Sequence, residues 1–486
     1  MNLKKLLTNI DYEIVKGNIE KEINNVNYDS RKVQKDDMFV CIKGFATDGH
    51  KYAKSSIEKG ASVIICEDDI ECNNEDVTII KVKDSRKALA TVGCNLYDNP
   101  SKKMKIIGVT GTNGKTTTAF MIKKILEKDG NKVGLIGTIA NFIGNERLDT
   151  ERTTPESLEL QELFNDMVNK GCNYCVMEVS SHSLALDRVY GIDFEVGIFT
   201  NLTRDHLDFH KTFENYYLAK FKLFERSKIK IVNIDDDYGK RVVEDLAKLN
   251  ADNVYTYSIK NDSDFKAFDE VCEMTHIGFS LKLDKVEKFI VGLPGEFNIY
   301  NSLGAIGATK NLKVSLESIK QGIEEAVVPG RCEMVGKEFN LPYTIILDYA
   351  HTPDGLENIL TTAKGFTKNR LISVFGCGGD RDTVKRPQMG KIGVDICDIA
   401  IITSDNPRTE DPTKIIDDII KGIDKDNYEV IEDRKSAIKR AIEIAQEGDV
   451  IVIAGKGHED YQILKTGKIH FDEREVVFDI LKSMNK

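Results

Sequence analysis

The sequence has no apolar run long enough to span a membrane, and it has no basic cluster. A bilayer needs about 18 to 20 consecutive apolar residues, and the apolar stretches here are much shorter. The formal net charge is −11, with Lys and Arg spread along the chain. Because duplex binding depends on clustered Lys and Arg that neutralise phosphates, we expect no nucleic-acid partner and no membrane insertion. An anionic substrate would need local basic pockets.

Targeting and metal-binding signals are also sparse. The first residues, MNLKKLLTNIDYEIVKGN, carry two lysines and a short apolar patch, but no small-residue cleavage site follows. We therefore expect a cytoplasmic protein. The ten cysteines are scattered except for one C-x-x-C, formed by Cys172 and Cys175. Without a second pair or a nearby His, this motif favours buried thiols at the start of a strand over zinc or redox chemistry.

The length of 486 residues predicts several domains. At about 150 residues per domain, roughly three are expected. No internal repeat marks the boundaries, so they come from turn signals, namely Asn99-Pro100 and Pro329-Gly330. We predict domains at 1–103, 104–329 and 330–486.

Short apolar runs alternate with helix-like stretches, which predicts an α/β protein. The middle segment contains KIIGVTG, KVGLIGT, YCVMEVS, FEVGIFTNL and KIKIVNID, the pattern of a parallel sheet. The last segment continues it with TIILDYAHT, RLISVFGCGGD, IAIITSDNPR and DVIVIAGKGHE. Since ligands bind at the carboxyl ends of such strands, the polar ends of these four runs should meet. The first segment, with DMFVCIKG and SVIICED, predicts a smaller α/β domain.

The stretch GVTGTNGKTTTAF, residues 108–120, has the features of a phosphate-binding loop. Glycines let backbone N–H groups wrap phosphate oxygens, Lys115 can reach the terminal phosphates, and Thr116 can hold Mg²⁺. The spacing differs from the general P-loop, because Val109 stands where the first glycine is expected. A glycine-rich turn without a nucleotide is the alternative.

Two later motifs at strand ends carry candidate ligands for a divalent metal beside ATP. They are MEVSSHSLALDRV and TNLTRDHLDFH, and the candidates are Glu178, Asp205, His206, Asp208 and His210. A solvated loop is the alternative for these residues.

Eight ordered motifs resemble the Mur ligase family, and the shifted phosphate loop is typical of it. They are GTNGKTT, EVSSHSL, TNLTRDHLDFH, YYLAKFKLF, GEFNIYNSLGAIG, PGRCE, DYAHTPD and DNPRTEDP. In addition, DSRKVQKDDMFVCIKG and DGHKYA are similar to the family's uridine-nucleotide-binding domain, so the resemblance covers nearly the whole chain. It implies a central P-loop ATPase domain, a Rossmann-like C-terminal domain and a smaller N-terminal domain.

The resemblance also implies an activity, namely ATP-dependent amide formation through an acyl phosphate. The form of the motifs is that of members that add meso-diaminopimelate to UDP-MurNAc-L-Ala-D-Glu, with ATP and Mg²⁺, in cell-wall precursor synthesis. We expect a monomer. Phosphoryl transfer of this kind consists largely of positioning and charge neutralisation.

By motif position, the resemblance assigns residues to ATP, metal and catalysis. The expected ATP-binding residues are Gly111, Thr112, Asn113, Gly114, Lys115, Thr116, Thr117, Asn298, Asn301, Arg331, Asp348 and His351. The expected metal ligands are Thr116, Glu178, His206 and Lys220, the last as a carbamate, and the catalytic residues are Lys115, Lys220 and His206. As a bare sequence feature, Lys220 would be a lysine on a helix surface.

The two other substrates receive residues in the same way. The residues implied for the UDP-linked substrate are Ser30, Thr153, Thr154, Ser180 and Arg188. Without the resemblance, Thr153 and Thr154 would be a helix N-cap before Pro155, and Ser30 a turn residue. The residues implied for diaminopimelate are Arg386, Asp405, Asn406, Pro407, Arg408, Gly455 and Glu459. The alternative for Arg408 is an exposed arginine paired with Glu410 or Asp411.

Other functions stay open at this point. Within the same class, the chain could be a lysine-adding member, or a folylpolyglutamate or cyanophycin synthetase, although those synthetases lack the uridine signature. From another class, it could be a P-loop switch that hydrolyses ATP to change shape.

Overall fold

The computed structural model describes residues 1–44, 47–273 and 275–484. The strands are β1 Tyr12–Lys16, β2 Val26–Asn27, β3 Met38–Val40, β4 Val63–Cys66, β5 Thr78–Val82, β6 Lys105–Thr110, β7 Val133–Ile136, β8 Asn141–Ile143, β9 Glu146–Leu148, β10 Tyr174–Glu178, β11 Phe194–Phe199, β12 Ser227–Asn233, β13 Val254–Ser258, β14 Phe265–Cys272, β15 Ile277–Lys282, β16 Val286–Val291, β17 Glu333–Val335, β18 Thr344–Asp348, β19 Leu371–Phe375, β20 Ile399–Ile402, β21 Tyr428–Val430, β22 Val450–Ala454, β23 Tyr461–Leu464 and β24 Gly467–His470. The helices are α1 Leu3–Leu6, α2 Ala53–Glu58, α3 Ser85–Leu96, α4 Lys115–Lys128, α5 Ser157–Asn169, α6 Ser181–Ala185, α7 Leu207–His210, α8 Phe213–Glu225, α9 Asp237–Lys248, α10 Phe297–Asn311, α11 Leu316–Glu324, α12 Pro353–Phe366, α13 Lys385–Ile396, α14 Pro412–Ile420, α15 Arg434–Ile444 and α16 Glu473–Ser483. None of the helices in the described residues is both long and apolar enough to cross a membrane.

The chain forms two compact units. The first consists of residues 1–107, 132–195 and 225–227, and the second of residues 108–131, 196–224 and 228–486. The predicted boundaries at 103/104 and 329/330 stay a prediction.

The first unit contains a five-stranded sheet of order β1-β5-β4-β3-β2. Only the β1–β5 pair is antiparallel. Its two faces are buried separately, one around Val40, Ile65 and Leu89 and the other around Phe39 and Ile64. The same unit holds β10 parallel to β7, which continues antiparallel through β8 and β9. As expected, Cys172 and Cys175 are buried at the start of β10.

The second unit contains a six-stranded sheet of order β17-β18-β22-β19-β20-β21. All pairs except β17–β18 are parallel. Alternate residues of β22 enter opposite cores, Val452 on one face and Ile451 on the other. This double burial explains why the strands read as continuous apolar runs. The strands predicted from the last segment are therefore confirmed as neighbours, with their carboxyl ends at one edge.

The second unit also holds most of β11 and β12 and all of β13 to β16, and part of this region was not predicted. Strands β12, β13 and β14 are parallel, whereas β14, β15 and β16 form an antiparallel meander. In β16, exposed and buried residues alternate, as expected for a strand with one solvated face. The mixed composition of β16 gives no continuous apolar run, so the search for apolar runs in the sequence did not predict this strand.

Candidate functional site

The phosphate-binding loop connects β6 to α4, as predicted. Gly111 and Gly114 have positive φ angles of 154° and 85°. A Cβ atom at Gly111 would lie 1.8 Å from Thr200 Oγ1, and one at Gly114 would lie 2.3 Å from Asn301 Oδ1. Only glycine fits at both positions, because other residues add strain and a clash. The loop thus places its backbone N–H groups at the N-terminus of α4, and a helix N-terminus favours phosphate binding.

Side chains from the loop that follows β11 hold the phosphate loop in shape. Thr200 Oγ1 donates to the carbonyl of Asn113 at 2.6 Å, and Asn201 Oδ1 accepts the N–H of Asn113 at 2.9 Å. Lys115 Nζ donates to the carbonyls of Gly111 and Thr112 at 2.9 and 2.7 Å. The ammonium of Lys115 therefore lies over the loop that precedes its helix.

Lys220 is not a surface lysine but a buried one. Its side chain is 1% exposed, and Nζ donates to the carbonyl of Gly111 at 2.7 Å. The ammonium also lies 4.5 Å from the ring centre of Tyr216. Burial, together with the charge of Lys115, lowers the pKa of Lys220 well below its usual range. The helix-surface alternative is wrong, since α8 turns this residue toward the phosphate loop.

His206 and Asp205 follow β11 in the same unit. His206 has a φ of 53° and starts α7, and its Nε2 lies 3.4 Å from Asp205 Oδ2. Although burial by itself raises the pKa of Asp205, the charges of His206, His351 and Lys385 lower it to about 2. His210 is buried against the ring of Tyr216. Asp208 lies in the short helix α7 between them.

A cavity of about 530 Å³ lies beside the phosphate loop within the second unit. The predicted ATP residues that line it are Asn113, Gly114, Thr116, Thr117, Asn298, Asn301, Arg331, Asp348 and His351. Gly111, Thr112 and Lys115 are not among the lining residues. Thr112 instead anchors the loop through its hydroxyl, near Thr203 O and Tyr216 Oη.

Polar groups from the C-terminal segment form one wall of this cavity. Arg331 Nη2 lies 3.4 Å from Thr116 Oγ1, and its guanidinium lies 4.6 Å from the ring centre of Tyr349. Asp348 accepts the N–H groups of Cys332 and Ala350, each at 2.8 Å, and burial raises its pKa. These contacts bring the PGRCE and DYAHTPD motifs to the phosphate loop.

Asn298, Asn301 and His351 are each fixed by a hydrogen bond. Asn301 Nδ2 donates to Asn298 Oδ1 at 2.9 Å, and Asn298 Nδ2 donates to the carbonyl of Pro294 at 2.7 Å. His351 Nδ1 lies 2.9 Å from the carbonyl of Tyr349. Burial, with Lys385 nearby, lowers the pKa of His351 to about 4, so its imidazole is neutral at pH 7.

The carboxyl ends of β20 and β22 bring the predicted amino-acid pocket together. Arg408 is in a left-handed conformation, with a φ of 53°, and its Nη1 donates to the carbonyl of Gly379 at 2.8 Å. Burial and the charge of Arg381 lower its pKa. Within the described part of the chain, Arg408 forms no ion pair, because Glu410 is held by Arg386. The alternative of an exposed arginine paired with Glu410 or Asp411 is therefore wrong, since Arg408 is half-buried.

The remaining predicted pocket residues form one polar cluster. Asn406 Nδ2 donates to Glu459 Oε2 at 2.9 Å, and burial raises the pKa of Glu459. A Cβ atom at Gly455, whose φ is 125°, would lie 2.6 Å from Asp405 Oδ2, so glycine permits this approach. Pro407 follows Asn406 in the same loop, and its carbonyl accepts the N–H of Glu410 at 3.0 Å.

Arg386 is 1% exposed and already has carboxylate partners. Its guanidinium contacts both oxygens of Glu410 at 2.9 Å and Asp418 at 3.0 Å. Its predicted contact with the amino acid stays a prediction. What the structure adds is that Arg386 holds the loop that contains Glu410.

The first unit contains the residues expected to bind the UDP-linked substrate. Ser30 lies in a turn, as expected, and lines a cavity of about 1030 Å³. Thr153, Thr154, Ser180 and Arg188 do not line this cavity. Arg188, however, forms a 2.8 Å ion pair with Glu156, which does.

Thr153 and Thr154 are not the N-cap of a helix, because α5 begins at Ser157 after Glu156. Thr154 Oγ1 instead donates to the carbonyl of Glu178 at 2.9 Å and lies 3.2 Å from Ser180 Oγ. Thr153 Oγ1 lies 3.0 Å from Thr138 Oγ1. The predicted metal ligand Glu178 accepts the N–H of Thr138 at 2.9 Å and its hydroxyl at 3.1 Å. The predicted metal ligands are thus divided, with Glu178 in the first unit and the other three in the second.

Some pocket residues were missed from the sequence. Lys456 is buried between Asn406 and Glu459, and it lies within the quoted DVIVIAGKGHE run, where it received no role. Arg434 and Glu473 form a fully buried ion pair at 2.7 Å beneath Asp405. Asp235 and Tyr300, joined by a 2.9 Å hydrogen bond, line the cavity beside the phosphate loop. Asp235 and Tyr300 lie in the quoted KIKIVNID and GEFNIYNSLGAIG stretches but received no role, and no motif marked Arg434 and Glu473, which lie far apart in sequence.

Comparison with known proteins gives consistent matches along the chain. Three family models match, described as Mur ligase family, catalytic domain (residues 22–97), Mur ligase middle domain (109–309) and Mur ligase, glutamate ligase domain (330–457). A relative from Clostridium perfringens, named UDP-N-acetylmuramoyl-L-alanyl-D-glutamate–2,6-diaminopimelate ligase, is 62% identical over 99% of this chain and 100% of its own. One of the same name from Clostridium botulinum is 58% identical over 100% of both. A solved structure of that name has a TM-score of 0.71 and 30% identity, covering 100% of this chain and 99% of its own.

The phosphate loop, the polar strand ends and the full-length matches agree with one another. The chain belongs to the Mur ligase family.

Proposed function

We propose that this chain is an ATP-dependent ligase that joins meso-diaminopimelate to UDP-MurNAc-L-Ala-D-Glu in peptidoglycan precursor synthesis. The observation that carries the proposal is Arg408, a half-buried guanidinium that forms no ion pair with any described residue and lies in the same loop as Asn406, which binds Glu459. A guanidinium suits the distal carboxylate of diaminopimelate, and a carboxylate such as Glu459 suits its ammonium. The names of the full-length relatives support the same substrates.

The reaction would proceed in two steps. The acceptor carboxylate attacks the γ-phosphorus of ATP, which releases ADP and leaves an acyl phosphate. The amine of diaminopimelate then attacks the acyl carbon, a tetrahedral intermediate collapses, and phosphate leaves as the amide forms and the amine loses a proton. The backbone of residues 111–114 and the ammonium of Lys115 would stabilise charge on the transferring group.

We propose Mg²⁺ as the metal because the predicted ligands Thr116 and Glu178 each carry the kind of oxygen donor that it prefers. When bound, it would neutralise charge on the phosphates, with His206 as a further ligand. Lys220 would contribute as a carbamate, formed when its neutral amine adds to CO₂ and releases a proton. Its full burial beside Gly111 supports this role, because burial favours the neutral amine.

The UDP-linked substrate would occupy the first unit. We propose that Ser30 contacts its uridine end, and that Thr153, Thr154, Ser180 and Arg188 contact the muramoyl dipeptide. Because both nucleotide substrates belong to the cytoplasm, we place the activity there, in a monomeric enzyme.

Mass analysis of the product tests the proposal. The protein is incubated with ATP, Mg²⁺, UDP-MurNAc-L-Ala-D-Glu and an equimolar mixture of meso-diaminopimelate and L-lysine. We expect the diaminopimelate product, with phosphate release that requires both acceptor and amine. A lysine product would overturn the substrate assignment. Phosphate release without acceptor would favour the alternative of a P-loop switch that hydrolyses ATP.

A further inference from the structure

Lys456 is a fully buried lysine in the turn after β22. Its Nζ donates to Asn406 Oδ1 at 3.0 Å, to the carbonyl of Tyr461 at 2.8 Å and to Glu459 Oε2 at 3.4 Å. An ammonium has three N–H donors and no acceptor, so these three acceptors satisfy it completely. Two of them belong to residues that we assign to the amino-acid pocket.

The contacts of Asn406 allow only one orientation of its amide group. Its Oδ1 accepts from Lys456 and from the N–H of Ile463 at 2.8 Å, and both partners are donors only. Its Nδ2 donates to Glu459, a carboxylate, at 2.9 Å. The reversed amide would place N–H groups against two donors and an oxygen against a carboxylate. The side chain therefore presents its N–H groups on the side of Glu459.

We infer that Lys456 is a positioning residue for amino-acid recognition, one that fixes the amide of Asn406 and the carboxylate of Glu459. This inference rests on the proposed function. With its oxygen tied to Lys456, Asn406 keeps one N–H for Glu459 and the second for a carboxylate of the amino acid. The positive charge of Lys456 also opposes the effect of burial on Glu459, which favours the anion needed to bind an ammonium.

Lys456→Met tests the inference, since it keeps an unbranched apolar stem and removes all three donors. We expect the KM for diaminopimelate to rise at least about tenfold, the scale of leaving buried polar groups unsatisfied. The KM values for ATP and for the UDP-linked substrate should stay within about twofold. Lys465→Met is the matched control, because Lys465 is exposed on the following hairpin, and its KM values should match those of the wild type.

A double-mutant cycle separates positioning from a general structural role. In an Asn406→Ala background, Lys456→Met should raise the KM for diaminopimelate by clearly less than it does in the wild type, because one of the two groups that it positions is gone. Thermal unfolding and ATP affinity are measured on every variant. If Lys456→Met does not fold, Lys456→Gln is used instead, because it keeps an N–H donor and should fold. We expect it to raise only the KM for diaminopimelate, and by less than the tenfold expected for Lys456→Met.

Two results overturn the inference while the proposed function stands. In the first, Lys456→Met raises all three KM values equally, while the wild-type protein still ligates diaminopimelate. In the second, Lys456→Met raises the KM for diaminopimelate as much in the Asn406→Ala background as it does in the wild type. A wild-type protein that forms no diaminopimelate product would overturn the proposed function itself, and the inference with it.

Discussion

The ammonium nitrogen of Lys220 lies 2.7 Å from the carbonyl oxygen of Gly111, a residue 109 positions earlier in the chain. Helix α8 thereby places a buried lysine against the phosphate loop, beside Lys115. Two lysines so close together repel each other unless one of them is neutral or modified. This relationship makes Lys220 the first residue to test.

Lys220→Ala should abolish most ligase activity, because it removes the group that we propose as an anionic carbamate. Formate or acetate should restore part of the rate by occupying the vacated position. Lys220→Arg should stay inactive, since a guanidinium repels Mg²⁺ and does not form the same carbamate. Initial rates of product formation measure these effects. Lys222→Ala, on the same helix, is the control, and full activity of Lys220→Arg would contradict the assignment.

Lys115→Ala should lower turnover by at least ~100-fold, the scale of losing one strong electrostatic stabiliser. The reason is that Lys115 stands at the start of α4, over the phosphate loop. Steady-state kcat with saturating substrates is the measurement. Lys128→Ala, at the far end of α4 and paired with Glu325, should have near-normal turnover. Similar rates for the two variants would rule out the role of Lys115.

Gly114→Ala should weaken ATP binding by about tenfold or more, as judged by the KM for ATP and by calorimetry. Alanine in the left-handed conformation of Gly114 costs about 1 to 2 kcal/mol. Its Cβ atom would in addition clash with Asn301. Gly130→Ala provides the matched control, because Gly130 has a similar φ of 82° with nothing within 4 Å of the added atom. It should lower stability only. Equal ATP affinities for both variants would show that the close approach at Gly114 is unimportant.

Arg408→Ala should cost about 2 to 5 kcal/mol in kcat/KM for meso-diaminopimelate, the range for removing one partner of a desolvated charge pair. Lysine lacks the distal carboxylate, so the kcat/KM for lysine should change far less. A competition of the two amines measures the difference. Arg381→Ala removes a nearby exposed arginine and should leave the preference unchanged. An equal loss for both amines in Arg408→Ala would mean that the residue only supports the loop.

Glu473→Gln should lower the free energy of unfolding by about 3 to 5 kcal/mol, because it removes the nearer of the two carboxylates that face the buried Arg434 and leaves only Asp405, at 3.9 Å. The double variant Arg434→Met with Glu473→Leu should lose less, since both charges of the pair are removed together and Asp405 keeps the charge of Lys456 nearby. Urea unfolding followed by circular dichroism is the measurement. Arg440→Ala, on the same helix α15, breaks an exposed pair with Glu429 and should change little. A double variant less stable than Glu473→Gln would contradict this account.

The sequence alone determined the parallel strands and the phosphate loop. Each of these features is local: a continuous apolar run becomes a strand buried on both faces, and glycines at fixed spacing shape a loop before a helix. Strands β6, β10, β18 and β22 accordingly lie where their apolar runs predicted. The motif order was also sufficient to indicate the family, because motifs depend on residue identity and not on contacts.

Only the tertiary structure decided how charged groups are paired. Lys220 became a buried neighbour of Gly111, Glu410 became the partner of Arg386, and Arg434 met Glu473 beneath the pocket. None of these pairs is adjacent in sequence, and a single charged residue looks the same in a sequence whether it ends in solvent or in a core. The choice is made when the chain folds, because a buried charge is tolerated only where distant elements supply its partner.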